Sequence, residues 1–120
     1  MKKILLVEDT ESFVKSINEL LSVDYEMINA INGSEALKAL ESDKPDLIIL
    51  DLNLNGMSGI DFLKNFNEKY GEGSIPVLIA TNMDNDSNVA EAMTLGVRGY
   101  ILKSETSLES LKEQVKNVLG

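Results

Sequence analysis

Short runs of branched apolar residues alternate with segments of helical period along this chain, and that alternation limits the fold more than any other feature. Four runs, Ile4–Val7, Leu47–Leu50, Val77–Ala80 and Tyr100–Leu102, are rich in Ile, Leu and Val; a fifth, Tyr25–Ala30, is weaker. A strand wetted on one face alternates apolar with polar residues. None of these runs does so cleanly, as expected of strands buried on both faces of a parallel sheet.

The intervening segments place apolar residues at helical spacing. Phe13, Ile17, Leu20 and Leu21 form one stripe. Ala36, Leu37 and Leu40 form a second, with Asn32 and Glu35 spaced as a capping pair. Phe62, Leu63, Phe66 and Tyr70 form a third, between an N-cap at Ser58 and a stop at Gly71. Val89, Ala92 and Met93, stopping at Gly96, form a fourth, shorter and less apolar. Leu108, Leu111, Val115, Val118 and Leu119 form a fifth, opened by the capping-box spacing of Thr106 and Glu109. Gly71–Ser74 and Asp84–Asn88 are expected to be loops, and Asn55-Gly56 a tight turn between strand and helix. Strand then helix, five times over, predicts an α/β fold: a doubly wound five-stranded parallel sheet with five helices on its two faces. At 120 residues the chain fits one domain spanning 1–120.

Composition removes whole classes of chemistry. With no Cys and no His, there is neither a thiolate nor an imidazole to serve as nucleophile, base or metal ligand. A metal must then be held by oxygen, which points to Mg2+, Ca2+ or Mn2+. Eleven Lys and Arg against 20 Asp and Glu give a net charge of −9, which argues against direct nucleic-acid binding. No apolar stretch approaches the roughly 20 residues of a membrane span, and the first one ends at Glu8-Asp9, unlike a secretory leader. The expectation is a cytoplasmic protein with no membrane contact.

In an open α/β sheet, ligands bind at the carboxyl ends of the strands. Glu8 and Asp9 follow Ile4–Val7, Asp51 follows Leu47–Leu50, Thr81 follows Val77–Ala80 and Lys103 follows Tyr100–Leu102. Each alone is as readily a turn, cap or solvated residue; the coincidence of all of them at one sheet edge carries the argument. Carboxylates crowded together raise one another's pKa, and a hard divalent cation relieves them. An amine and a hydroxyl beside them complete the parts of a phosphoryl-transfer site, in which Asp51 can act as nucleophile by forming an aspartyl-phosphate.

These residues resemble the receiver domain of two-component response regulators. The likeness runs from Lys3 to about Leu119, carried by the segments 4–9 (ILLVED), 45–59 (PDLIILDLNLNGMSG), 76–81 (PVLIAT) and 96–103 (GVRGYILK). It implies a flavodoxin-like sheet of order 2-1-3-4-5. It further implies that Asp51 accepts a phosphoryl group from a histidine of a partner kinase or phosphotransfer protein. Asp9, Asp51 and the backbone carbonyl of Asn53 would hold Mg2+, with Glu8 acting through water. Lys103 would pair with Asp51 and then with the phosphoryl group, and Thr81 would turn its hydroxyl toward it. Tyr100 would swing inward as Thr81 moves, presenting the face of the fourth helix, fifth strand and fifth helix to a downstream effector. The protein would be a monomer or a weak phosphorylation-dependent dimer.

Three positions depart from the family pattern. Asn55 and Ser104 stand where proline is usual, and Asn82 where a smaller residue is common. A cis bond before Ser104 would cost about 3–4 kcal/mol, so a trans Lys103–Ser104 bond is expected. Three other readings compete. A Mg2+-dependent aspartyl-phosphate phosphatase or phosphotransferase of the haloacid-dehalogenase type wants a second Asp where Asn53 stands. A flavin module is disfavoured by Glu8-Asp9, which would repel the flavin phosphate. A phosphorylation-independent interaction module is disfavoured by the presence of the whole acid, hydroxyl and lysine set.

Overall fold

The structure, a computed structural model, describes residues 1–82 and 86–120. Its elements run β1 (Lys3–Val7), α1 (Glu11–Leu21), β2 (Glu26–Ala30), α2 (Gly33–Ser42), β3 (Leu47–Leu50), α3 (Gly59–Tyr70), β4 (Val77–Thr81), α4 (Asp86–Thr94), β5 (Gly99–Leu102) and α5 (Leu108–Leu119). All strand pairs are parallel, and the sheet order is β2-β1-β3-β4-β5. The expected fold and strand order are therefore the observed ones. Edge strand β2 is the least buried, which explains why its run carries Glu26 and Asn29 and was the weakest of the five.

Strand side chains alternate faces, and here both faces are covered. Leu5, Val7, Ile48, Leu50, Val77 and Ile79 pack with Ala36 and Leu40 of α2, Ile60, Phe62, Leu63 and Phe66 of α3, and Ala92 of α4. Ile4, Leu6, Leu47, Ile49, Leu78, Ala80 and Ile101 pack with Ile17 and Leu21 of α1 and with Leu111, Val115 and Leu119 of α5. Apart from Lys3, the residues of β1, β3 and β4 are buried whichever face they point to, so their apolar runs show no alternation.

Local signals set the helix starts. Asn32 Oδ1 accepts from the Glu35 N–H at 2.8 Å, and Glu35 reaches back to the Ile31 N–H at 3.1 Å. Ser58 Oγ caps α3 through the Asp61 N–H at 3.1 Å, and α3 ends at Gly71 with φ of 96°. Leu52 accepts from the Gly59 N–H at 3.1 Å. A Cβ on Gly59 would stand 2.5 Å from the Asp51 carbonyl oxygen, so only glycine lets α3 begin this close to the end of β3.

Four expectations need correction. The cap of α5 is Ser107, not Thr106: its Oγ accepts from the Ser110 N–H at 3.1 Å, after a turn closed by the Glu105 N–H on Leu102. Leu108, placed in the α5 stripe, sits on the first turn and is 45% exposed. Met93 of the α4 stripe is also largely exposed, because α4 leans on the sheet through Ala92. Of the loop expected over Asp84–Asn88, residues 86–88 are helical, and 84 and 85 lie outside the described residues. Asn55-Gly56 does lie in a strand-to-helix loop, with Gly56 at φ of 78°. The Lys103–Ser104 bond is trans.

Candidate functional site

Three strands reach one residue past their last apolar position, and the backbone ladder holds those residues in line. The Glu8 N–H donates to the Ala30 carbonyl at 3.0 Å, the Asp51 N–H to Val7 at 3.0 Å and the Lys103 N–H to Thr81 at 2.9 Å. Strand alternation then aims the side chains. Glu8 continues the face of Ile4 and Leu6, Asp51 that of Leu47 and Ile49, and Lys103 that of Ile101; all three belong to the α1/α5 side. Thr81 continues the face of Val77 and Ile79 on the other side and is fully buried.

The result is a buried ionic centre. Glu8 is 1% exposed and Asp51 5%. Lys103 Nζ bridges the two, donating to Glu8 Oε1 and, at 3.3 Å, to Asp51 Oδ2. The other Glu8 oxygen accepts from the Thr10 N–H at 3.0 Å. Asp51 Oδ1 accepts from the Asn53 N–H at 3.1 Å, and Asp9 Oδ2 from the Asn55 N–H at 3.3 Å, so the loop after β3 ties two carboxylates by its backbone. Burial pushes the Glu8 carboxyl above its ordinary range. The Lys103 and Thr10 hydrogen bonds pull it down, and the neighbouring Asp51 charge adds to the rise.

One carboxylate oxygen from each of Glu8, Asp9 and Asp51 lies within 4.8 Å of the others. Adjacent oxygens around an octahedral Mg2+ stand roughly 3 Å apart and opposite ones roughly 4 Å, so these carboxylates must draw closer before they could ligate one ion. The donors are all hard oxygens, and they suit a hard divalent cation.

The structure thus brings Glu8, Asp9, Asp51 and Lys103 together, with Thr81 at the end of the adjoining strand. Asn53 sits in the same loop, exposed, its N–H turned to Asp51. Tyr100 faces outward and is 48% exposed; it pairs in register with Ile79 on edge strand β5. Two contacts had no sequence signal. Glu8 shares Lys103 with Asp51, and the Phe13 ring, expected only as core, has the Lys103 ammonium 4.3 Å from its centroid.

A doubly wound sheet with this strand order, and with acids and a lysine gathered at its carboxyl edge, is the architecture of signal-receiver domains. Residues 4–116 match the response regulator receiver domain, and the chain belongs to that family. It is 34% identical over 119 residues to the chemotaxis protein CheY of Pseudomonas aeruginosa, covering 97% of this chain and 94% of that one. It is 32% identical over 119 residues to a nitrate/nitrite response regulator homologue of Haemophilus influenzae, covering 97% of this chain but 56% of that protein. It spans about half the length of the first curated relatives it matches. Among solved structures, Vibrio cholerae chemotaxis protein CheY4 superposes with a TM-score of 0.88 at 28% identity, covering 99% of each chain. The phosphorylated cyanobacterial phytochrome response regulator RcpA superposes with a TM-score of 0.83 at 32% identity, covering 98% of this chain and 90% of that one. Among the described residues, no helix is long and apolar enough to cross a membrane.

Proposed function

We propose that residues 1–120 form one cytoplasmic receiver domain that switches on phosphorylation of Asp51 by a partner histidine kinase or phosphotransfer protein. The observation that carries this reading is a buried aspartate held between an amine and two further carboxylates at the carboxyl edge of the sheet. In the transfer, the N–P bond of the donor's phosphohistidine breaks, its electron pair stays with the imidazole, and an O–P bond forms to a carboxylate oxygen of Asp51. The barrier is one of positioning and charge, since three phosphoryl oxygens must approach a carboxylate. Asp9, Asp51 and the Asn53 carbonyl would hold Mg2+, with Glu8 behind; the ion supplies positive charge against the phosphoryl oxygens. Lys103 supplies a second positive charge, and the Thr81 hydroxyl a donor from the neighbouring strand.

The same groups make the switch. A phosphoryl group favours an active state only through contacts it gains there. Lys103 and Thr81 are the groups poised to give them. Movement of Thr81 would draw Tyr100 inward from its outward position and alter the face of α4, β5 and α5 toward an effector. The domain acts as a phosphoacceptor rather than as an enzyme on a separate substrate.

Acetyl phosphate with Mg2+ should add one phosphoryl group by intact mass, and Asp51→Asn should take up none. Persistent labelling of that variant at any other residue would overturn the assignment.

A further inference from the structure

An ammonium has three N–H donors. Lys103 spends two on Glu8 Oε1 and Asp51 Oδ2. What faces the remaining side decides whether the group stays between the carboxylates or is drawn into water. Lys103 also lines a recess of about 290 Å3, together with Thr10, Ser12, Phe13, Ser16 and Asn82. The Phe13 ring stands there, its centroid 4.3 Å from Lys103 Nζ, and the lysine side chain is only 8% exposed.

We propose that Phe13 is a positioning residue for Lys103, its ring holding the ammonium between Glu8 and Asp51 so that the charge is in place when a phosphoryl group arrives. The chemistry favours an aromatic ring over other neighbours. A ring face attracts a cation through its quadrupole, and does so most when water is excluded. A third carboxylate would hold the ammonium more strongly but would compete with the phosphoryl oxygens. A leucine would exclude water but offer the charge nothing. Geometry explains why Phe13 reaches it: α1 packs on the face of the sheet to which Lys103 belongs, and Phe13 lies on the sheet-facing side of its first turns. The proposal rests on the reading of Asp51 as phosphoacceptor given above.

The test compares wild type with Phe13→Leu and Phe13→Tyr. In metal-free wild type, the Lys103 ε-methylene protons should show an upfield ring-current shift by NMR; Phe13→Tyr should keep it and Phe13→Leu lose it. With Mg2+ and acetyl phosphate, Phe13→Leu should take up phosphoryl about 3- to 10-fold more slowly, as expected for loss of a largely desolvated cation–π contact. Phe13→Tyr should stay close to wild type. Equal rates in wild type and Phe13→Leu, equal slowing in both variants, or no ring-current shift in wild type would each overturn the proposal. Wild type that takes up no phosphoryl group would instead overturn the functional reading, while the NMR comparison, made without metal or phosphate, stands apart from it.

Discussion

Among the described residues, Glu8 is the most deeply buried charged group. Its carboxyl is almost wholly buried, and its one cation is shared with Asp51. Its pKa therefore lies above the usual 4.5, first because burial disfavours the anion. For an acid whose folded pKa is raised, the folded state binds the extra proton. Stability from this group is then full below the unfolded value and is lost as pH rises through the folded one. Metal-free Glu8→Gln should accordingly melt higher than wild type at pH 7, and the gap should close as pH falls toward 4.5. Melting curves across that range check it; a gap that widens on acidification would reverse the sign assigned to Glu8.

At the scale of elements, α4 meets the sheet through Ala92, and α3 ties down its C-terminal end. Asn67 Nδ2 donates to the Leu95 carbonyl at 2.9 Å, just past the C-terminus of α4, and is partly buried. Lys64 and Glu91 form an ion pair at 3.1 Å, with both side chains well exposed. The two contacts differ in worth. A partly buried hydrogen bond to a backbone carbonyl contributes about 1 kcal/mol, whereas an exposed pair contributes about 0–1 kcal/mol and weakens with salt. Asn67→Ala should therefore lower stability by about 1 kcal/mol, and Lys64→Ala by less. Urea midpoints with unchanged slopes would measure both. Faster amide exchange confined to residues 95–96 in Asn67→Ala would locate the loss.

At the scale of the molecule, the dominant facts are a net charge of −9 and three carboxylates at one edge with a single lysine among them. A divalent cation bound there joins the folded state and not the unfolded one, so it must stabilise the fold. At a free Mg2+ concentration ten times its Kd the gain is about 1.4 kcal/mol, or about 5 °C in Tm for a domain of this size. Addition of a chelator should return the Tm to its starting value, and Asp9→Asn should abolish the response. A Tm indifferent to Mg2+ in wild type would contradict the ligand set.

Much of this was legible in order along the chain. A strand buried on both faces must be apolar throughout, so Ile4–Val7, Leu47–Leu50 and Val77–Ala80 announced a covered parallel sheet. The residue after each apolar run stood at the sheet edge, so Glu8, Asp51, Thr81 and Lys103 were visible as one row. Caps at Asn32 and Ser58 were legible because their bonds span three residues. The start of α5 was not, since Thr106 and Ser107 are both competent caps and the preceding turn chose between them. Nor could local pattern show that Lys103 would lie on Phe13 or be shared by Glu8 and Asp51. Those contacts join residues 90, 95 and 52 positions apart, and they depend on strand order, on the face given by alternation and on which helix covers it. Periodicity along the chain thus determined the layers and the row of reactive groups. Distances between groups brought together from different strands, and the water excluded around them, were decided only when the layers packed.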